Sequence, residues 1–68
     1  MSYDVMKEIV SHGANLILEK SVSNDLLRDL VDTARTTGAR VTIRFSLSHD
    51  LIKELAAIGS NQVTFVST

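Results

Sequence analysis

The amino-acid sequence repeats itself, and that repetition limits the chain to folds made of like units. Ser2-Tyr3-Asp4-Val5-Met6-Lys7-Glu8-Ile9-Val10 matches Ser23-Asn24-Asp25-Leu26-Leu27-Arg28-Asp29-Leu30-Val31, and both match Ser48-His49-Asp50-Leu51-Ile52-Lys53-Glu54-Leu55-Ala56. The shared pattern is Ser, any residue, Asp, two apolar residues, a base, an acid and two more apolar residues. Each copy then reaches a glycine (Gly13, Gly38, Gly59), and a serine follows eight residues later (Ser21, Ser46, Ser67). Asp to Gly spans nine residues in the outer copies and thirteen in the middle one, so the middle helix should be about one turn longer. Three tandem units follow, approximately 2–21, 23–46 and 48–67, within a single domain of 68 residues.

Each unit reads as a helix followed by a strand. Leu26, Leu27, Leu30, Val31 and Ala34 recur at the three-and-four spacing that places them on one helical face. Val5, Met6, Ile9 and Val10, and then Leu51, Ile52, Leu55 and Ala56, form equivalent stripes. Ser2, Ser23 and Ser48 stand where an N-cap hydroxyl accepts from an otherwise unpaired backbone N–H, and Asp4, Asp25 and Asp50 face the positive end of the helix dipole. The three glycines stand where a left-handed residue ends a helix. Beyond each glycine the period changes to two: Val41, Ile43 and Phe45 alternate with Arg40, Thr42 and Arg44, and Val63 and Phe65 with Gln62 and Thr64. In the first strand, Leu16 to Lys20, Leu16 and Leu18 point inward and Ile17 and Glu19 outward.

Strands separated by helices pair in parallel through right-handed crossovers. The order 2-1-3 would put helices on both faces and demand strands apolar on both sides, which Thr42, Arg44 and Thr64 contradict. The expectation is an α/β fold with a parallel three-stranded sheet in the order 1-2-3, helices on one face, resembling a short βα solenoid. Basic Lys7, Arg28 and Lys53 and acidic Glu8, Asp29 and Glu54 would then pair across neighbouring helices, each contact contributing ~0–1 kcal/mol if exposed.

Composition narrows the function classes. At 44% apolar and 22% charged the chain should fold, and without cysteine it has neither disulfides nor thiolate metal ligands. The longest apolar run is Leu55 to Ile58, and Met-Ser-Tyr-Asp lacks the layout of a signal peptide, so neither export nor membrane insertion is expected and a cytoplasmic setting fits better. Charges of both signs are interspersed, with net charge −1, which argues against direct nucleic-acid binding. His12 and His49 belong to opposite ends of their units and do not converge on a nucleophile or shared metal. The helix N-termini could face a phosphate, but Asp25 and Asp50 already occupy them and their loops lack glycine. No enzyme, metal or cofactor is expected.

Aligning Val41 with Leu16 and Val63 gives three rows on the open sheet face: Asn15-Arg40-Gln62, Ile17-Thr42-Thr64 and Glu19-Arg44-Val66. With no stacking aromatic it does not suit single-stranded nucleic acid. Such polar faces are most often simply solvated. The other reading is a protein-docking face formed by Arg40, Thr42, Arg44, Gln62, Thr64 and Val66, with the two arginines as anchors. Strands 1 and 3 are both edges, and the third carries Val63 to Val66 with no proline or charge to block pairing. The expected function is that of a small intracellular, non-enzymatic interaction or self-assembly module. A homodimer would form through the open face or, about a twofold axis, through strand 3, the closed dimer being preferred to strand 3 pairing with strand 1, which would extend the array. Thr64→Pro should weaken association if the N–H it removes points to the free edge and damage the fold if that N–H points to strand 2. The alternatives are a regulator of a nucleic-acid-processing machine acting through protein contacts, and a phosphate or small-molecule sensor.

Overall fold

A computed structural model describes residues 2–66. Ser67, which closes the third unit in the sequence pattern, lies outside the described residues. Along the chain come α1 (Tyr3–Ser11), β1 (Leu16–Leu18), α2 (Asn24–Thr37), β2 (Val41–Ile43), α3 (His49–Gly59), a 3-10 turn over Ser60–Gln62, and β3 (Val63–Phe65).

The helices begin where the serines require. The hydroxyls of Ser2, Ser23 and Ser48 accept from the N–H groups of Val5, Leu26 and Leu51, each at 3.3 Å, satisfying one donor of each first turn. The helix α2 has fourteen residues against nine in α1 and eleven in α3, as the longer Asp-to-Gly spacing in the middle of the chain requires. It ends on Gly38 at φ 83°, whose N–H donates to the Ala34 carbonyl at 2.8 Å. Gly13 also has positive φ. Gly59 departs from the expectation: its φ is −92°, and the reversal falls on Ser60 at φ 51°. The reason is packing, because a Cβ on Gly59 would collide with Val31 Cγ1 and lie 3.2 Å from Val63 Cγ1. The glycine lets α3 approach α2 and β3.

The sheet is parallel in the order β1-β2-β3, with Leu16, Val41 and Val63 in register and Ile17, Thr42 and Thr64 level with one another. Leu16, Leu18, Val41 and Ile43 turn toward the helices and join one core with Met6, Val10, Leu27, Leu30, Val31, Ala34, Leu51 and Leu55. Helix α2 packs on both α1 and α3, and Leu27, Leu30, Val31 and Ala34 are fully buried.

Two stripe residues depart from their expected burial, and both lie on the outer helices. Val5 is 46% exposed and Ala56 is exposed as well. The helical period sends each to the side away from α2, where no helix follows. At the same end of the molecule the Thr37 hydroxyl of α2 donates to the Val10 carbonyl of α1 at 2.7 Å, and ahead of β1 and β2 the Asn15 side-chain Oδ1 accepts from the Arg40 N–H at 3.1 Å.

Candidate functional site

The face of the sheet away from the helices is the candidate surface. Its centre is the row Ile17, Thr42 and Thr64, set side by side by the strand register. Ile17, at the β1 end of the row, is 59% exposed, the most exposed of the large apolar residues described, and Thr42 and then Thr64 continue the row with small amphipathic side chains. Toward the carboxyl end of the strands an Arg44 Nη donates to Glu19 Oε1 at 3.3 Å, and Val66 is 37% exposed. Toward the amino end stands exposed Arg40, which has no acidic partner among the described residues. Gln62 belongs to the scaffold as much as to the face: half-buried, its amide donates to the Ala39 carbonyl at 2.6 Å. Arg40, Thr42, Arg44 and Thr64 therefore share one surface with Val66 at its corner. Ile17, absent from the docking set read from the sequence, joins this surface at its β1 edge; its signal was an apolar residue at an outward position of a period-two strand.

Both edges of the sheet carry unpaired backbone groups. Leu16 N–H donates to the Arg40 carbonyl at 2.8 Å, and Val66 N–H to the Ile43 carbonyl at 2.9 Å. Parallel strands alternate their bonding direction residue by residue. Thr64 N–H, two residues before Val66, thus faces β2, and the groups on the free edge of β3 are those of Val63 and Phe65. On β1 they are those of Ile17. Proline at position 64 consequently strikes the β2–β3 ladder and the fold, not the free edge.

The helix layer is held by ion pairs of one sense. Lys7 Nζ donates to Asp29 Oδ1 at 2.6 Å and to the Thr33 hydroxyl at 2.8 Å, and the Tyr3 hydroxyl donates to the other Asp29 oxygen. Arg28 grips both Glu54 oxygens, through Nε at 2.7 Å and Nη at 3.1 Å. Each helix thus presents its base to the acid of the next. The hydrogen bonds from Lys7 and Tyr3 hold the Asp29 carboxyl below its usual range, and the Arg28 fork does the same for Glu54. Asp29 in turn raises the Lys7 ammonium and the Tyr3 phenol, in each case first through the shared hydrogen bond. The outer members of the series lack such partners: Glu8 reaches only His12 of its own helix, at 3.9 Å, and Lys53 has no acidic partner among the described residues.

His12 caps the end of α1 and His49 opens α3, so the imidazoles stand at opposite ends of the helix layer. Among the described residues no group of three His, Cys, Asp or Glu is placed to hold a metal, and no described helix is long and apolar enough to cross a membrane. A hollow of about 260 Å³ at the carboxyl end of β2 and β3 is walled mainly by Ile43, Phe45, Leu47, Ile52 and Phe65, with His49 at its side. No known protein family, curated protein sequence or solved structure matches this chain.

Proposed function

We propose that this chain is a non-enzymatic protein-interaction module, built as three variations on one helix–strand unit in a short solenoid, whose docking surface is the open face of its sheet. The observation that carries this reading is the row Ile17, Thr42 and Thr64 across the open face, with Ile17 left 59% exposed at its β1 edge and Arg40 and Arg44 on either side of Thr42 along β2. An exposed branched apolar side chain next to threonine methyls and arginines is a composition suited to an interface, where apolar burial supplies affinity and the charges supply orientation. Thr42 and Thr64 offer methyl groups for contact and hydroxyls for hydrogen bonds beside it. The solenoid reading is supported by the same serine cap at each helix start and the same sense of ion pair between successive helices. The partner is a protein with a complementary, partly acidic surface.

A photo-crosslinking residue at Thr42 tests this against one at Asp32, on the exposed side of α2. In extract of the native host, Thr42 should yield a discrete protein adduct and Asp32 none. Ile17→Glu and Arg40→Glu should each abolish the adduct while leaving the circular dichroism spectrum intact. An adduct formed equally from Asp32, or one indifferent to both substitutions, would sink the reading; nucleotide co-purifying with the chain would redirect it to a small ligand.

A further inference from the structure

The two ends of the helix layer are complementary to each other. Position by position, the matching residues of the three helices change burial with their place in the series. Val5 is exposed, its counterpart Leu26 is half-buried, and Leu51 is buried. On the other flank the order reverses: Met6 and Leu27 are buried where Ile52 is half-buried, and Val10 and Val31 are buried where Ala56 is exposed. One flank of each helix is therefore made to face the preceding helix and the other the following one. Val5 and Glu8 on α1, and Ile52, Lys53 and Ala56 on α3, are the halves of that contact left without a neighbour.

The charges match in the same sense. Within the chain, Lys7 of α1 meets Asp29 of α2, and Arg28 of α2 meets Glu54 of α3. Lys53 is the next base in the series and Glu8 is the acid that no base precedes. The sheet edges agree: the free groups of Val63 and Phe65 on β3, and of Ile17 on β1, are in the same phase as those joining β2 to β3, with Ile17 standing where Thr64 stands.

We infer that the chain associates head to tail with further copies of itself, β3 of one copy adding in parallel to β1 of the next and Lys53 pairing with Glu8 across the junction. The occupant of the open edge is another copy because the charge order, the apolar steps and the hydrogen-bond phase all fit this chain's own opposite end. A twofold dimer through β3 instead sets the Lys53 flank against an identical one. The head-to-tail contact is heterologous and does not close on itself after one step, so it builds an array. Each junction carries the open face onward, Thr64 of one copy lying beside Ile17 of the next. The inference goes beyond the docking face, which a monomer would present equally well.

Sedimentation of the whole chain at low salt, from tens of micromolar to about a millimolar, should show a weight-average mass that climbs through dimer without a plateau. Glu8→Lys and Lys53→Glu replace attraction with repulsion at an exposed pair and should each weaken association about three- to tenfold. An equimolar mixture of the two restores an opposite-charge pair at every mixed junction and should recover the wild-type behaviour. Both positions are exposed, and a circular dichroism spectrum confirms that each variant folds. A plateau at dimer that ignores Glu8→Lys, a monomer throughout, or a mixture no stronger than either variant would overturn the inference. A monomer that still crosslinks through Thr42 would leave the docking reading standing.

Discussion

Glycine can be required for the backbone shape it permits or for the space it leaves to others, and Gly38 and Gly59 divide these two needs. At Gly38 φ is 83° and nothing lies within 4 Å of where a Cβ would sit, so alanine there meets only backbone strain. Gly38→Ala should destabilise by ~1 kcal/mol. At Gly59 the backbone is helical and the obstacle is Val31, fully buried on α2. Gly59→Ala forces the helices apart and should cost about 2–3 kcal/mol. Trimming the obstacle should recover part of that loss, so Gly59→Ala and Val31→Ala should combine less than additively. Urea denaturation of the three variants and the double variant decides the matter; equal losses at the two glycines, or strict additivity with Val31→Ala, would refute the packing role. The spacing of the glycines located the helix ends, but spacing cannot tell a required φ from a required gap. The gap depends on a side chain 28 positions away in the sequence.

Helix against helix, the matching base–acid positions led directly to the ion pairs, since helices packed side by side bring Lys7 next to Asp29 and Arg28 next to Glu54. What the sequence pattern concealed was burial at the ends: a stripe reads the same in α1, α2 and α3, yet only α2 has a helix on either side, which is why Val5 and Ala56 are exposed. The Lys7–Asp29 contact also has a pH signature. Because the Asp29 carboxyl titrates below its usual range in the folded chain, the unfolded chain takes up the proton first as acid is added. The stabilisation from Asp29 is therefore complete above the ordinary carboxylate value of about 4 and disappears as pH falls through the lower folded value. With both side chains about one-third exposed, screening limits the contribution to roughly 0.5–1 kcal/mol. Thermal melts of wild type and Asp29→Asn should differ by a few degrees at pH 7 and converge once the pH has fallen below the lowered carboxyl value of the folded chain, and about 1 M salt should narrow the gap at pH 7. A difference that persists unchanged into acid would mean that Asp29 acts through shape and not through charge.

For the molecule as a whole, the polar residues Thr42, Arg44 and Thr64 argued against helices on both faces and so selected the order 1-2-3, which the sheet has. Which residues line the open face was legible in outline for the same reason. Bonding direction along the strands was not, because it depends on hydrogen-bond phase, which side-chain alternation does not record. That phase now separates fold from assembly. A 68-residue domain buries a smaller fraction of its surface than a large domain does, about 60%, so its stability is marginal and sensitive to any contact made only in the folded state. If copies associate through β3, occupancy of that edge raises the melting temperature by mass action: a hundredfold excess over Kd contributes about 2.7 kcal/mol, on the order of 10 °C for a domain this small. The wild-type melting temperature should accordingly climb with protein concentration. Thr64→Pro removes the donor that faces β2 and should unfold or severely destabilise the monomer at every concentration. Methylation of the Phe65 backbone nitrogen, accessible by chemical synthesis at this length, removes a free-edge donor and leaves the side chain in place. That variant should keep the melting temperature of dilute wild type and lose the rise on concentration. Should it rise in parallel with the wild type, association uses some surface other than the β3 edge; should Thr64→Pro melt like wild type, the β2–β3 ladder is bonded in the opposite phase.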